Sequence, residues 1–157
     1  MTVVGVDPHK RSHTAAAVRA ITGELVGAKT VAARGNGHGE LVRWARSLGE
    51  DVVFAVEDCR YVSGGLERFL LARAERVVQV SPKLMAGARQ SGRERGKSDA
   101  IDAQAVARAA LRHGPRACLV RISMAQRWRS SCCSTIARTW SRSARVRRTA
   151  FAGICTI

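Results

Sequence analysis

The sequence predicts a mixed α/β domain, a sheet of antiparallel and parallel strands with helices on its faces. Three observations lead there. Three strand-like runs follow one another at the N-terminus before any helical period appears. From residue 37 onward, helical and strand patterns alternate. The chain has 157 residues, 46% of them hydrophobic, which is enough for one domain with a real core and too apolar for general disorder.

"TVVGVD" (2–7) is a β-branched run ending in an acid and reads as a buried strand. Asp7 precedes Pro8, which favours extended backbone, so the acid should sit at the strand's C-terminal end. "HTAAAVRA" and "ELVGAKTVAA" are the second and third strands, joined by a turn at Thr22-Gly23. In "GHGELVRWARSLG" (37–49), Leu41, Trp44, Ala45 and Leu48 share one face and Gly49 is a natural stop, which predicts a helix. "DVVFAVED" (51–58) is a further apolar strand, "GGLERFLLARA" (64–74) a helix, and "RVVQVSP" (76–82) a strand stopped by Pro82. Residues 83–98 are rich in basic residues and glycine and read as a short helix followed by a mobile basic loop. Ser98 can cap the last helix, about 99–113, whose apolar stripe is Ile101, Ala105, Val106 and Ala109 and whose stop is Gly114-Pro115. The order is three strands, helix, strand, helix, strand, helix, which matches the ribonuclease-H-like arrangement.

The formal charge is +15, from 27 Lys and Arg against 12 Asp and Glu, and suggests an anionic partner such as nucleic acid. The excess is uneven. Residues 116–157 hold nine arginines, four of the five cysteines, two of the three tryptophans and no acid. They show no clear periodicity. The break divides the chain into a domain at 1–115 and an atypical Arg/Ser/Cys-rich tail at 116–157, read as out of frame or disordered, with a nucleic-acid-binding arm as the alternative. No apolar run is long enough for a membrane span and the N-terminus opens on a strand rather than a secretory signal, so the cytoplasm is the expected location. No pair of cysteines has zinc spacing, and all five are read as free thiols.

Asp99 and Asp102 are three residues apart and share a helix face in the first turn, where the helix dipole favours negative charge. In isolation they need be no more than solvated acids stabilising a helix start. Asp7 and Glu57 change the weighing, because each ends an apolar strand. If those strands are neighbours, their carboxylates meet at the carboxyl edge of the sheet, where open α/β sheets concentrate function. Four carboxylates gathered there repel one another, and Mg²⁺ with its preference for oxygen ligands relieves that repulsion. Two such ions about 4 Å apart activate a nucleophile and stabilise a leaving oxygen in phosphodiester chemistry. Asp58 rivals Glu57; alternation allows only one of them to point into such a site and does not choose between them.

"VGVDPHKRSHTAAAV", "FAVEDCRYVSGGLERFL", "VVQVSPKLMAGARQ" and "GKSDAIDAQAVARAAL" resemble the N-terminal RuvC-like domain of DEDD transposases of the insertion-sequence-110 family, over about residues 3–115. The resemblance implies Asp7, Glu57, Asp99 and Asp102 as catalytic and metal-binding residues, and it selects Glu57 over Asp58. It implies Mg²⁺ as cofactor, with Mn²⁺ as substitute, and a recombinase that cleaves and transfers DNA strands. It also implies a structured guide RNA and a homo-oligomeric full-length protein. Family members continue through a helical segment into a domain supplying a nucleophilic serine. The tail at 116–157 departs from that pattern and reads as a frameshifted or truncated end, so this chain is expected to be incomplete. A junction-resolving nuclease that acts alone and a non-catalytic nucleic-acid-binding fragment are the alternatives.

Lys10, Arg89, Arg93, Arg95 and Lys97 are candidate phosphate contacts by charge and loop setting. His9 and His13 straddle a strand end and the next strand, so their spacing makes no helical metal pair, and both are read as structural or solvent-facing. His9 is also near enough to Asp7 in sequence to touch a phosphate. Tyr61 could stack on a base, although a half-buried surface role is the plainer reading.

Overall fold

The computed structural model describes residues 1–59, 61–85, 99–117 and 119–121. Six strands form one sheet: β1 (Thr2–Pro8), β2 (Ser12–Arg19), β3 (Leu25–Ala32), β4 (Val52–Glu57), β5 (Val77–Val80) and β6 (Leu119–Arg121), in spatial order β3-β2-β1-β4-β5-β6. Among the helices of the described residues, α1 (Gly35–Ser47), α2 (Gly64–Ala72) and α3 (Asp99–Ala117) cover it. Each expected strand and helix in the described residues is present. β6 is an addition from within the tail and pairs antiparallel with β5.

The three opening strands form an antiparallel meander because a tight turn joins β2 to β3. Gly23 adopts φ +75° there, a left-handed conformation that glycine takes without steric cost, and its amide donates to the Arg19 carbonyl at 2.8 Å. β1 then pairs parallel with β4, and β4 parallel with β5. Every residue of β1, β4 and β5 is buried, as strands covered on both faces require. β3, at the edge, is mostly exposed or part-buried, with Val31 buried, and ties to α1 through the Lys29–Glu40 ion pair at 2.8 Å.

Strand alternation divides the core into two. Val4, Val6, Phe54 and Val56 face α1 and α2, packing against Leu41, Ala45, Leu66 and Leu70. Val3, Val53, Ala55, Val78 and Val80 face the other way, onto Val106, Ala109 and Ala110 of α3. The expected face of α1 is thus the packed one, and so is that of α3 at Ala105, Val106 and Ala109, whereas Ile101 is only half-buried and outside this core. Gly5, in the middle of β1, lets α3 lie directly on the strand: a Cβ there would stand 2.1 Å from the Ala103 carbonyl oxygen and 2.4 Å from the Ala107 nitrogen. α3 departs from helical angles at Gly114 (φ 65°, ψ −173°), where the sequence placed its stop.

A buried histidine pair sits on the α1 and α2 side. His13 of β2 and His38 of α1 stack with ring centroids 5.2 Å apart and bring their Nε2 atoms to 3.2 Å, and Phe69 meets His38 edge-on. The expectation that His13 is structural is met. Burial first, then repulsion from His38 and His9, pushes its pKa down to about 4, and burial lowers that of His38 too. Between about pH 4 and 6.5 the unfolded chain binds a proton at His13 that the folded chain refuses, so stability is full above pH 6.5 and declines as pH falls through that window. Denaturant unfolding at pH 7.5 and pH 5 should differ by about 2 kcal/mol in favour of the higher pH. Stability independent of pH across that interval would contradict this account.

Candidate metal and nucleic-acid site

β1 and β4 run parallel in register, with Val6 opposite Val56 as their last paired residues. Asp7 and Glu57 are each one residue further along. They continue the rows Val3–Gly5 and Val53–Ala55, so both carboxylates emerge on the face that α3 covers. They are 7% and 8% exposed. Glu57 is thus the buried acid on the α3 side. Asp58 lies past the strand, half-buried, and its amide donates to the Val80 carbonyl at 2.9 Å.

The first turn of α3 lies at the same edge, where Asp99 comes near His9. Asp99 and Asp102 lie one turn before Ala103 and Val106, and those two residues pack on the sheet. Asp99 is the more exposed acid and Asp102 is half-buried. His9, on the turn after β1, links strand to helix: its Nε2 lies 3.2 Å from Asp7 Oδ2 and 3.7 Å from Asp99 Oδ1. Asp7, His9 and Asp99 each offer a donor atom within 4.8 Å of the others.

Cys59 lies near the acids at the ends of β1 and β4. Its half-buried thiol is pushed above its usual pKa, first by burial and then by the negative charges of Glu57, Asp7 and Asp58. A thiol so placed is a poor nucleophile at neutral pH. It is free, as expected; the other four cysteines lie outside the described residues.

Lys10 is exposed, three residues after Asp7. Arg89, Arg93, Arg95, Lys97 and the cap expected at Ser98 lie outside the described residues, as do Cys118 and residues 122–157 of the tail. Tyr61 is fully exposed at 103%, not half-buried. Sequence reasoning did not see His9 as a bridge between two acids, because Asp99 is ninety positions away from it. The available signal was the Asp-Pro-His string at a strand end, which keeps the imidazole next to the acid.

A cavity of about 510 Å³ opens at the other end of the sheet, lined by Arg46, Glu50, Val52, Ala74, Glu75 and Arg76. There Arg46 pairs with Glu75 and Arg76 with Asp51. Its charges are balanced and distant from the acidic edge. Among the described residues no helix is long and apolar enough to cross a membrane.

Solved structures share the architecture. The RuvC of Thermus thermophilus in complex with Holliday junction substrate is 16% identical, with a TM-score of 0.52 over 73% of this chain and 96% of that one. The Thermus thermophilus RuvC structure is also 16% identical, with a TM-score of 0.54 over 77% of this chain and all of that one. The fold is therefore ribonuclease-H-like. No curated protein matches. The model of the transposase family DEDD_Tnp_IS110 matches residues 4–143. With that match spanning most of its length, the chain belongs to the IS110 family of transposases.

Proposed function

We propose that this chain is the nuclease domain of a transposase that binds DNA and cleaves and transfers its strands at a divalent-metal site held by Asp7, Glu57, Asp99 and Asp102. One observation carries the reading: two nearly buried carboxylates end adjacent parallel strands on the very face whose covering helix begins with two more. Like charges gathered at one sheet edge and withdrawn from water are costly, and a shared cation lowers that cost. The carboxylate donors suit a hard cation, Mg²⁺ first and Mn²⁺ as substitute, and the set is large enough for two ions. Bound there, the metal would lower the pKa of an attacking water or hydroxyl and neutralise charge on the phosphate.

The chain's own residues do the rest. β1 and β4 fix the two buried carboxylates through ladder hydrogen bonds, and α3, seated on Gly5, fixes the other two. Lys10, and Arg89, Arg93, Arg95 and Lys97 in the basic segment, would neutralise backbone phosphates of DNA and of a structured guide RNA. The family resemblance supports the guide RNA and a homo-oligomeric working form in the cytoplasm. Lys10→Ala is expected to weaken DNA binding uniformly across sequences and to lower the slope of log K against log salt by about 1. Affinities measured at several salt concentrations check this; an unchanged slope removes Lys10 from the interface.

A second reading is a junction-resolving nuclease that acts alone, favoured by the likeness to RuvC over the whole length of those structures. Incubating the purified chain with a four-way junction and with supercoiled plasmid in Mg²⁺ tests both. Metal-dependent cutting of either substrate that is lost in Glu57→Gln supports the site. Cutting by the purified chain alone favours the resolvase. Salt-sensitive binding with no cutting and no metal uptake would leave only a nucleic-acid-binding fragment.

A further inference from the structure

Resting on the reading of the acidic edge as a metal site, we propose that His9 is itself a ligand there: its Nε2 shares a divalent cation with Asp7 and Asp99 and biases the site toward Mn²⁺ over Mg²⁺.

One nitrogen, Nε2, faces both carboxylates, at 3.2 Å from Asp7 Oδ2 and 3.7 Å from Asp99 Oδ1. All three donor atoms lie within 4.8 Å of one another. In an octahedral shell with bonds of about 2.1 Å, adjacent donors stand about 3.0 Å apart and opposite ones about 4.2 Å. The two distances from Nε2 fall between those values, so His9 stands where it can share one ion with either carboxylate.

The placement has a local cause. Pro8 ends β1, and the His9 amide donates to the Ser12 carbonyl at 2.9 Å, closing the turn that carries the ring back over the strand end. The side chain is 45% exposed, so core packing does not explain where it sits. His13, four residues on, shows the contrast: it is 1% exposed and stacked on His38 on the opposite side of the sheet.

An imidazole donor changes the preferred metal. Mg²⁺ favours an all-oxygen shell and sheds water reluctantly, whereas first-row transition metals accept nitrogen readily. A site of carboxylates alone has no such bias. The ring also bridges strand and helix, so metal bound to it would draw Asp99 of α3 onto Asp7 of β1.

The test is pulsed electron paramagnetic resonance of Mn²⁺ bound to the full chain, read for coupling to nitrogen, together with Mn²⁺ and Mg²⁺ titrations. Wild type is expected to show nitrogen coupling. His9→Ala and His9→Gln are expected to lose it, with Mn²⁺ affinity falling about tenfold or more and Mg²⁺ affinity falling less. Mn²⁺ bound without nitrogen coupling in wild type, or coupling that survives in both variants, overturns the role of His9 and leaves the carboxylate site standing. Absence of Mn²⁺ binding to wild type overturns the carboxylate site and this inference together.

Discussion

Asp7→Asn is expected to reduce metal-dependent DNA cleavage by about a thousandfold while leaving the fold intact. Asn has the shape of Asp, and Asp7 sits at the end of a central strand held by β2 on one side and β4 on the other, so the backbone has no reason to move. What is lost is a carboxylate oxygen at the position that His9 links to Asp99 of α3. A metal's stabilisation of developing charge is worth several kcal/mol, and each 1.36 kcal/mol is tenfold in rate, which gives the thousandfold figure. Cleavage of a labelled four-way junction, with circular dichroism to confirm folding, measures it. Cleavage within about threefold of wild type would remove Asp7 from the site.

Gly5→Ala is expected to be strongly destabilising for a single added methyl. The added carbon would lie 2.1 Å and 2.4 Å from two backbone atoms of α3 and 2.9 Å from the Ala107 Cβ. No side chain can rotate away to make room, so the helix itself must shift. Overpacking typically costs 1–3 kcal/mol. With backbone as the obstacle we expect about 3 kcal/mol, seen as a fall of roughly 10 °C in melting temperature for a chain this size. The shift would also carry Asp99 away from Asp7, so metal affinity should fall together with stability. Gly27→Ala is the control: its Cβ would meet only the Trp44 ring at 3.8 Å, an ordinary contact, and should change stability little. Equal melting temperatures for the two variants would show that α3 does not rest on β1 as described.

The strands were legible because of what they bury. β1, β4 and β5 are enclosed on both faces and so read as unbroken apolar runs. The meander was legible from Gly23. Helix ends were less so. α1 starts at Gly35, two residues before the expected start, because Arg34 provides no side-chain cap to mark it. α2 ends at Ala72 rather than residue 74, since Ala74 turns the chain with φ 57° and an alanine gives no warning of that. β6 lies in an arginine-rich stretch with no alternation to reveal it, and exists by pairing with β5.

The site divides in the same way. That Asp7 and Glu57 end strands was written in the local pattern. That those strands are adjacent, parallel and in register is a property of topology, and it is the register that puts Glu57 on the α3 face. His9 and the His13–His38 pair were missed as contacts because each joins residues far apart in the chain, through geometry that no local period encodes.

A crystal of the chain grown with Mn²⁺ tests most directly whether distant carboxylates meet around a cation. An anomalous-scattering peak should lie within about 2.5 Å of carboxylate oxygens from both Asp7 and Glu57, beside the first turn of α3. Diffraction showing those two side chains turned to separate surfaces, or Mn²⁺ bound only elsewhere, would contradict it.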